Sequence, residues 1–290
     1  MILNAIRGFC MAAADSVPGV SGGTIAFLMG FYDEFIGSLN ALIKGTKQER
    51  IDAVKFLVKL GVGWVIGMAL MVTVLAAVFE KGIYQVSSLF IGFILLAIPI
   101  MIYEEKECLT KNWLDLVFIV PGVIAVVALS SFGSGEFDTS SLNVLSIAYI
   151  FVAGMIAISA MVLPGISGST VLLTFGLYMP VVTAVKNLLH FDFSGLWLII
   201  TLGLGVVAGV FVSLRFIKKA LDNYRGKSVY TIIGMMLGSI YAITQGPKTL
   251  EVPMEAMSLE TFSIVFFIIG GAVVLGMQLC KVYSLKRVKN

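Results

Sequence analysis

Charge is what this sequence has least of. Asp, Glu, Lys and Arg make up 13% of its 290 residues, against about 25% in an ordinary soluble domain. Apolar residues make up 59%, so a water-facing surface of normal size cannot be built. Histidine occurs once, at His190, and the three cysteines, Cys10, Cys108 and Cys280, are odd in number and far apart. These scarcities exclude a disulfide framework and leave no zinc ligand set. Basic patches with interleaved aromatics are missing as well, so no nucleic-acid partner is expected. The stretch Gly203-Leu-Gly-Val-Val-Ala-Gly209 has the wrong spacing for a nucleotide loop and lies within an apolar run.

The start of the chain does not read as a secretory signal. Arg7 follows the first apolar residues and does not precede them. Ala12-Ala13-Ala14 mimics a cleavage site, but the segment recurs in mid-chain, where no signal could stand.

That recurrence organises the sequence. Val17–Tyr32 reappears as Leu163–Tyr178, with Pro, Gly, Ser, Gly, Thr, Gly and Tyr identical at an offset of 146 residues. Gly61, Gly63, Gly67 and Gly92 match Gly203, Gly205, Gly209 and Gly234 at an offset of 142. Two long units, residues 1–143 and 144–290, are therefore expected, not a solenoid of many short ones.

Six apolar segments approach the roughly 20 residues of a membrane span. They cover about 60–79, 86–103, 113–131, 196–214, 229–245 and 262–280. Each unit also opens with a hairpin, 2–43 and 144–189, broken at Pro18-Gly19 and Pro164-Gly165. Proline removes a helix hydrogen bond and clashes with the preceding turn. Basic residues cluster at 44–59, at 215–227 and in the tail after Lys281, whereas loop 132–143 has none. Basic loops stay cytoplasmic, which puts both termini inside. Three spans per unit is an odd number, so the second unit is inserted upside down. The expected fold is thus an all-α integral membrane protein, an inverted two-fold repeat of a broken re-entrant hairpin plus three transmembrane helices. Inverted repeats with interrupted helices are a transporter architecture.

The chemistry concentrates in Pro-Gly-[Val/Ile]-Ser-Gly-[Gly/Ser]-Thr, once per unit. Non-helical backbone survives in a bilayer only where protein or water satisfies it. Hydroxyls can cap the restarted helix, and free N–H groups with the helix dipole attract an anion. The expected substrate contacts are Ser21, Gly22, Gly23 and Thr24, with Ser167, Gly168, Ser169 and Thr170. Arg7 and Arg215 are candidate assistants. An intramembrane carboxylate is costly, which makes Asp15 the coupling candidate; its alternative is an ion pair with Arg7. Glu34 is a second coupling candidate. Paired glycines at i and i+4, Gly63/Gly67, Gly205/Gly209 and Gly234/Gly238, read as helix-packing faces.

The segments Arg7–Thr24 and Met161–Thr170 resemble the PopT family over essentially the whole chain. That resemblance implies a translocase of polyprenyl phosphate in the bacterial plasma membrane, returning undecaprenyl phosphate from the outer to the inner leaflet for reuse in cell-wall synthesis. It implies a lipid substrate and no enzymatic step. No bound cofactor is expected; Asp15 is compatible with H+ or Na+ as a coupling ion, and an oligomer is compatible with the chain. The rival readings are a small-anion transporter or channel and a polyprenyl-pyrophosphate phosphatase. The second lacks an acidic pair or a histidine beside either motif.

Overall fold

A computed structural model describes residues 2–15, 21–131, 143–163, 168–249 and 254–289, and every element among them is helical. The first half holds α1 (Ile2–Asp15), α2 (Gly22–Leu28), α3 (Tyr32–Lys44), α4 (Lys47–Glu104), α5 (Lys106–Leu109) and α6 (Ile119–Ser131). A 3-10 turn, Trp113–Phe118, leads into α6. The second half holds α7 (Val144–Val162), α8 (Gly168–Thr174), α9 (Tyr178–Leu189), α10 (Leu196–Asn223), α11 (Arg225–Gln245) and α12 (Ile264–Lys289).

Six stretches are long and apolar enough to cross a bilayer: 47–71, 82–104, 113–131, 144–162, 196–223 and 225–248. The chain is therefore a multi-pass membrane protein. The set differs from the expected one in two places. Val144–Val162, expected as a hairpin limb, is by itself long enough to span, because no charge or proline interrupts it before Pro164. The expected span 262–280 falls on α12, which contributes the shorter apolar stretch Ile264–Gly276 among the described residues. The loop expected between the first two spans is also absent. α4 runs through it, interrupted only at Gly82, whose φ of −146° and ψ of 28° are not helical.

Why α4 starts where it does is local chemistry. Thr46 caps it, and Glu49 returns a bond to the Thr46 N–H, a reciprocal capping box. A straight helix of 58 residues would exceed the roughly 30 Å bilayer core several-fold, so it must turn back. Both ends do lie at one end of the bundle. Glu49 is within electrostatic reach of Lys218, and Glu105 pairs with Arg225. The middle lies at the other end, where Tyr84 donates to the Glu255 carbonyl and Ser88 accepts from the Ser263 N–H.

Glycine fixes how the long helices meet. A Cβ on Gly63 would collide with the Ala5 carbonyl oxygen, and one on Gly67 would stand 2.9 Å from that of Phe9. In the other half Gly205 meets Phe151 and Gly209 meets Met155 in the same way. Each contact advances four residues along both helices, so α1 runs parallel to the first limb of α4, and α7 parallel to α10. Gly234 against Ile119 and Gly238 against Val123 give α11 and α6 the same relation. Lipid offers no hydrophobic drive between helices, so close backbone approach has to supply the packing.

Both short helices end alike. Gly30 and Gly176 take positive φ, 69° and 66°, and the next N–H reaches back to Ala26 and to Leu172. That is a Schellman stop, which needs a residue free of Cβ.

The packing role makes a direct prediction. Gly63→Ala and Gly205→Ala each lower the thermal midpoint in detergent, by the equivalent of about 1–3 kcal/mol for overpacking. Gly61→Ala and Gly203→Ala face open space and leave it unchanged or raise it, since alanine favours helix by about 1 kcal/mol.

Candidate functional site

Breaking a helix inside a membrane orphans carbonyls at the end of one piece and N–H groups at the start of the next. At the first break, α1 ends at Asp15 and Ser21 caps α2; Pro18 and Gly19 lie outside the described residues. The Asp15 carboxylate bridges the gap. Its Oδ1 accepts the Gly22 N–H at 2.6 Å, and its Oδ2 accepts the Trp64 indole N–H at 2.9 Å. A side chain at Gly22 would sit 2.7 Å from that carboxylate, so only glycine lets the two meet.

The carbonyls orphaned at the second break are satisfied by the first half. α7 ends at Val162, ahead of Pro164. Ser21 Oγ donates to the Leu163 carbonyl at 3.0 Å, and Tyr32 donates its hydroxyl to that of Val162 at 3.2 Å. Ser21 Oγ also accepts the Thr24 N–H at 3.3 Å and lies 3.3 Å from Thr24 Oγ1. Gly23 abuts this joint, with a hypothetical Cβ 2.7 Å from the Val162 oxygen. Ser21 and Thr24 are buried, at 0% and 1% exposure. The first motif therefore meets the residues just ahead of the second. The contact runs from hydroxyl to backbone across the halves.

The second motif is looser where it is described. A Cβ on Gly168 would make only ordinary contacts, 3.6 Å from the Ala157 oxygen and 3.7 Å from Met161. Thr170 is half-buried, and its carbonyl accepts from Thr174, which also faces the Leu129 carbonyl. Pro164, Gly165 and Ser167 lie outside the described residues, and so does the side chain of Ser169.

Arg7 does not pair with Asp15. Its guanidinium reaches Asn4 at 2.9 Å and Glu34 at 3.3 Å, and stacks 4.7 Å over the Phe31 ring. Glu34 thus neutralises the cation that was the alternative partner of Asp15. Arg215 is exposed on α10 and forms no ion pair among the described residues.

The arginine that joins the halves is Arg225, which composition alone reads as one more positive anchor. It grips both Glu105 oxygens, at 2.6 and 2.8 Å, and reaches Asp33 at 3.1 Å. Cys108 donates to Glu105. Burial, reinforced by that carboxylate, pushes its thiol up to about 11, so it remains protonated near neutral pH. Trp64 and Tyr32 were likewise missed. A signal for Trp64 existed: Asp15 and Trp64 correspond to Met161 and Val206 at offsets of 146 and 142, so both members change together.

Taken together, the chain is a multi-pass helical membrane protein whose two halves are joined by the hydroxyls of Ser21 and Tyr32. Residues 11–261 match the undecaprenyl phosphate translocase-like family, and the chain belongs to that family. It is similar to a polyprenyl-phosphate transporter of Staphylococcus aureus, 30% identical over 92% of this chain and 94% of the relative. It is also similar to a polyprenyl-phosphate transporter of Vibrio cholerae, 31% identical over 85% and 78%. Both the family and the relatives mark a transporter, not an enzyme. No solved structure matches the chain.

The joint between the halves can be tested by Tyr32→Phe. It leaves the Val162 carbonyl without its hydroxyl partner and costs about 1–3 kcal/mol, read as a lowered thermal midpoint in detergent. Tyr149→Phe, at an exposed hydroxyl, costs less.

Proposed function

We propose that this protein carries undecaprenyl phosphate from the outer to the inner leaflet of the bacterial plasma membrane, for reuse in cell-wall synthesis. The observation that carries the reading is the buried joint of Ser21 with Leu163, at the meeting of two sequence-related breaks, in a chain whose relatives are named polyprenyl-phosphate transporters. The lipid's head is an anion and its tail is apolar. A protein that exposes apolar helix faces to lipid and gathers N–H groups and hydroxyls at an internal joint suits both ends.

The two halves act as inverted repeats, 1–143 and 144–290, each with a re-entrant break. Parallel pairing of α1 with α4 and of α7 with α10, at matching glycines, supports this. Both termini are cytoplasmic. Supporting that orientation, the basic ends of α4 and α10 and the Arg225 cluster share one end of the bundle. Ser21, Gly22, Gly23 and Thr24, with Ser167, Gly168, Ser169 and Thr170, contact the headgroup once the joint opens. Arg7 and Arg215 assist in drawing the anion in. Asp15, with Glu34 beside Arg7, couples transport to H+ or Na+. Because Ser21 is engaged with Leu163, loading the headgroup requires the halves to separate there, which is the movement alternating access demands.

Native mass spectrometry of the purified protein with undecaprenyl phosphate tests the reading. The wild type retains the lipid, and Ser21→Ala/Ser167→Ala loses about tenfold in affinity, the equivalent of ~1.4 kcal/mol. Failure of the wild type to bind, alongside retention of inorganic phosphate, would replace the lipid by a small anion.

A further inference from the structure

The Asp15 bridge does more than repair a broken helix. At the matching positions of the second half, no charged residue stands. Met161 stands where the repeat puts Asp15, and its Cβ and Sδ are among the atoms nearest a Cβ built on Gly168. Val206 stands where the repeat puts Trp64. Its N–H faces Gly154 just as that of Trp64 faces Gly8. Same backbone position, same packing, no polar pair: a carboxylate and an indole are not what this joint needs in order to fold.

What the pair adds is sensitivity to a proton. Both partners of the carboxylate are donors only. The Gly22 amide and the Trp64 indole have no lone pair to offer an O–H. A proton on Oδ2 leaves a poor acceptor facing the indole donor. Other charges do not override this. On α1 the titratable neighbours are Cys10 and Arg7, and Arg7 is held by Glu34. α2 carries none, α4 none between Lys59 and Glu80, and α7 only Tyr149. Asp15 forms no ion pair among the described residues; its partners are Gly22 and Trp64.

We propose that Trp64 is a positioning residue that holds Asp15 as a proton-operated staple of the first break. Closed, the carboxylate ties the end of α1 to the start of α2 and to α4. Uptake of a proton from water forms the Oδ2–H bond, discharges the carboxylate and releases the indole, which unties α4 from the break; loss of the proton restores both hydrogen bonds. This rests on the reading of the chain as a coupled translocase with Asp15 as its coupling group, and it selects H+ over Na+.

The test needs no transport assay. A Trp113→Phe/Trp197→Phe protein keeps Trp64 as its only indole. On titration from acid to alkaline pH its emission shifts in a single step, and adding sodium at constant pH does not reproduce the step. In the same background Asp15→Asn, the near-isosteric mimic of the protonated acid, fixes the emission at the acid value throughout. No step, or a step that survives Asp15→Asn, overturns the staple. In proteoliposomes, Trp64→Phe moves the midpoint of the pH profile of undecaprenyl phosphate transport upward by about one pH unit, the size of one lost hydrogen bond to a charge, while a purely structural role lowers the rate equally at every pH. A fluorescence step in a protein that does not carry the lipid keeps the staple and sinks the substrate. Lipid transport with no step does the reverse.

Discussion

Everything distinctive in this molecule depends on one constraint: a backbone N–H or C=O inside a bilayer must find a partner within the protein. Helices end at Asp15 and at Val162, and others start at Gly22 and at Gly168; such ends leave orphans. The first half answers with the Asp15 carboxylate, which takes up the Gly22 N–H. For the second, it lends the hydroxyls of Ser21 and Tyr32 to the Leu163 and Val162 carbonyls. The halves are therefore held together where the second segment leaves carbonyls that the first segment satisfies.

Such a joint is strong and switchable for the same reason. A hydrogen bond in a low-dielectric interior is worth more than one in water, and the group left behind when it opens costs correspondingly more. An incoming phosphate offers acceptors to N–H and O–H groups but nothing to an orphaned carbonyl. Opening the Ser21–Leu163 contact thus frees a hydroxyl that an anion can use, and leaves a carbonyl that needs water or another donor. With Ser21 as the proposed headgroup contact, stability of the closed joint and affinity for the anion draw on the same hydroxyl and compete.

Much of the frame was legible because glycine and proline carry their meaning in their own positions. The Gly63/Gly67, Gly205/Gly209 and Gly234/Gly238 pairs predicted close helix contacts, and each does abut a carbonyl of its neighbour. The repeated Pro-Gly-Ser-Gly-Thr segment predicted restarted helices, and Ser21 caps one. What could not be read was the identity of the partners. Leu163 and Val162 act through backbone oxygens, which every residue has, so no side chain announced them. Arg225 resembled its basic neighbours until its position put it within reach of both Glu105 and Asp33. An ion pair of Arg7 with Asp15 was the alternative because the two share a helix, but Glu34, 27 residues on, holds Arg7.

The departures from symmetry therefore carry more than the symmetry does. A duplicated membrane protein with two identical halves would have the same energy on either side of the bilayer and no preferred direction of response. Here the packing glycines are kept in both halves, while Asp15 and Trp64 are matched by Met161 and Val206. The shared positions set where the helices cross, which both halves need. The unshared pair sits at the first break, so the proton response proposed for it enters through the first half. Under that proposal the charged joint changes state with one proton while the packing, glycine against carbonyl in both halves, stays the same.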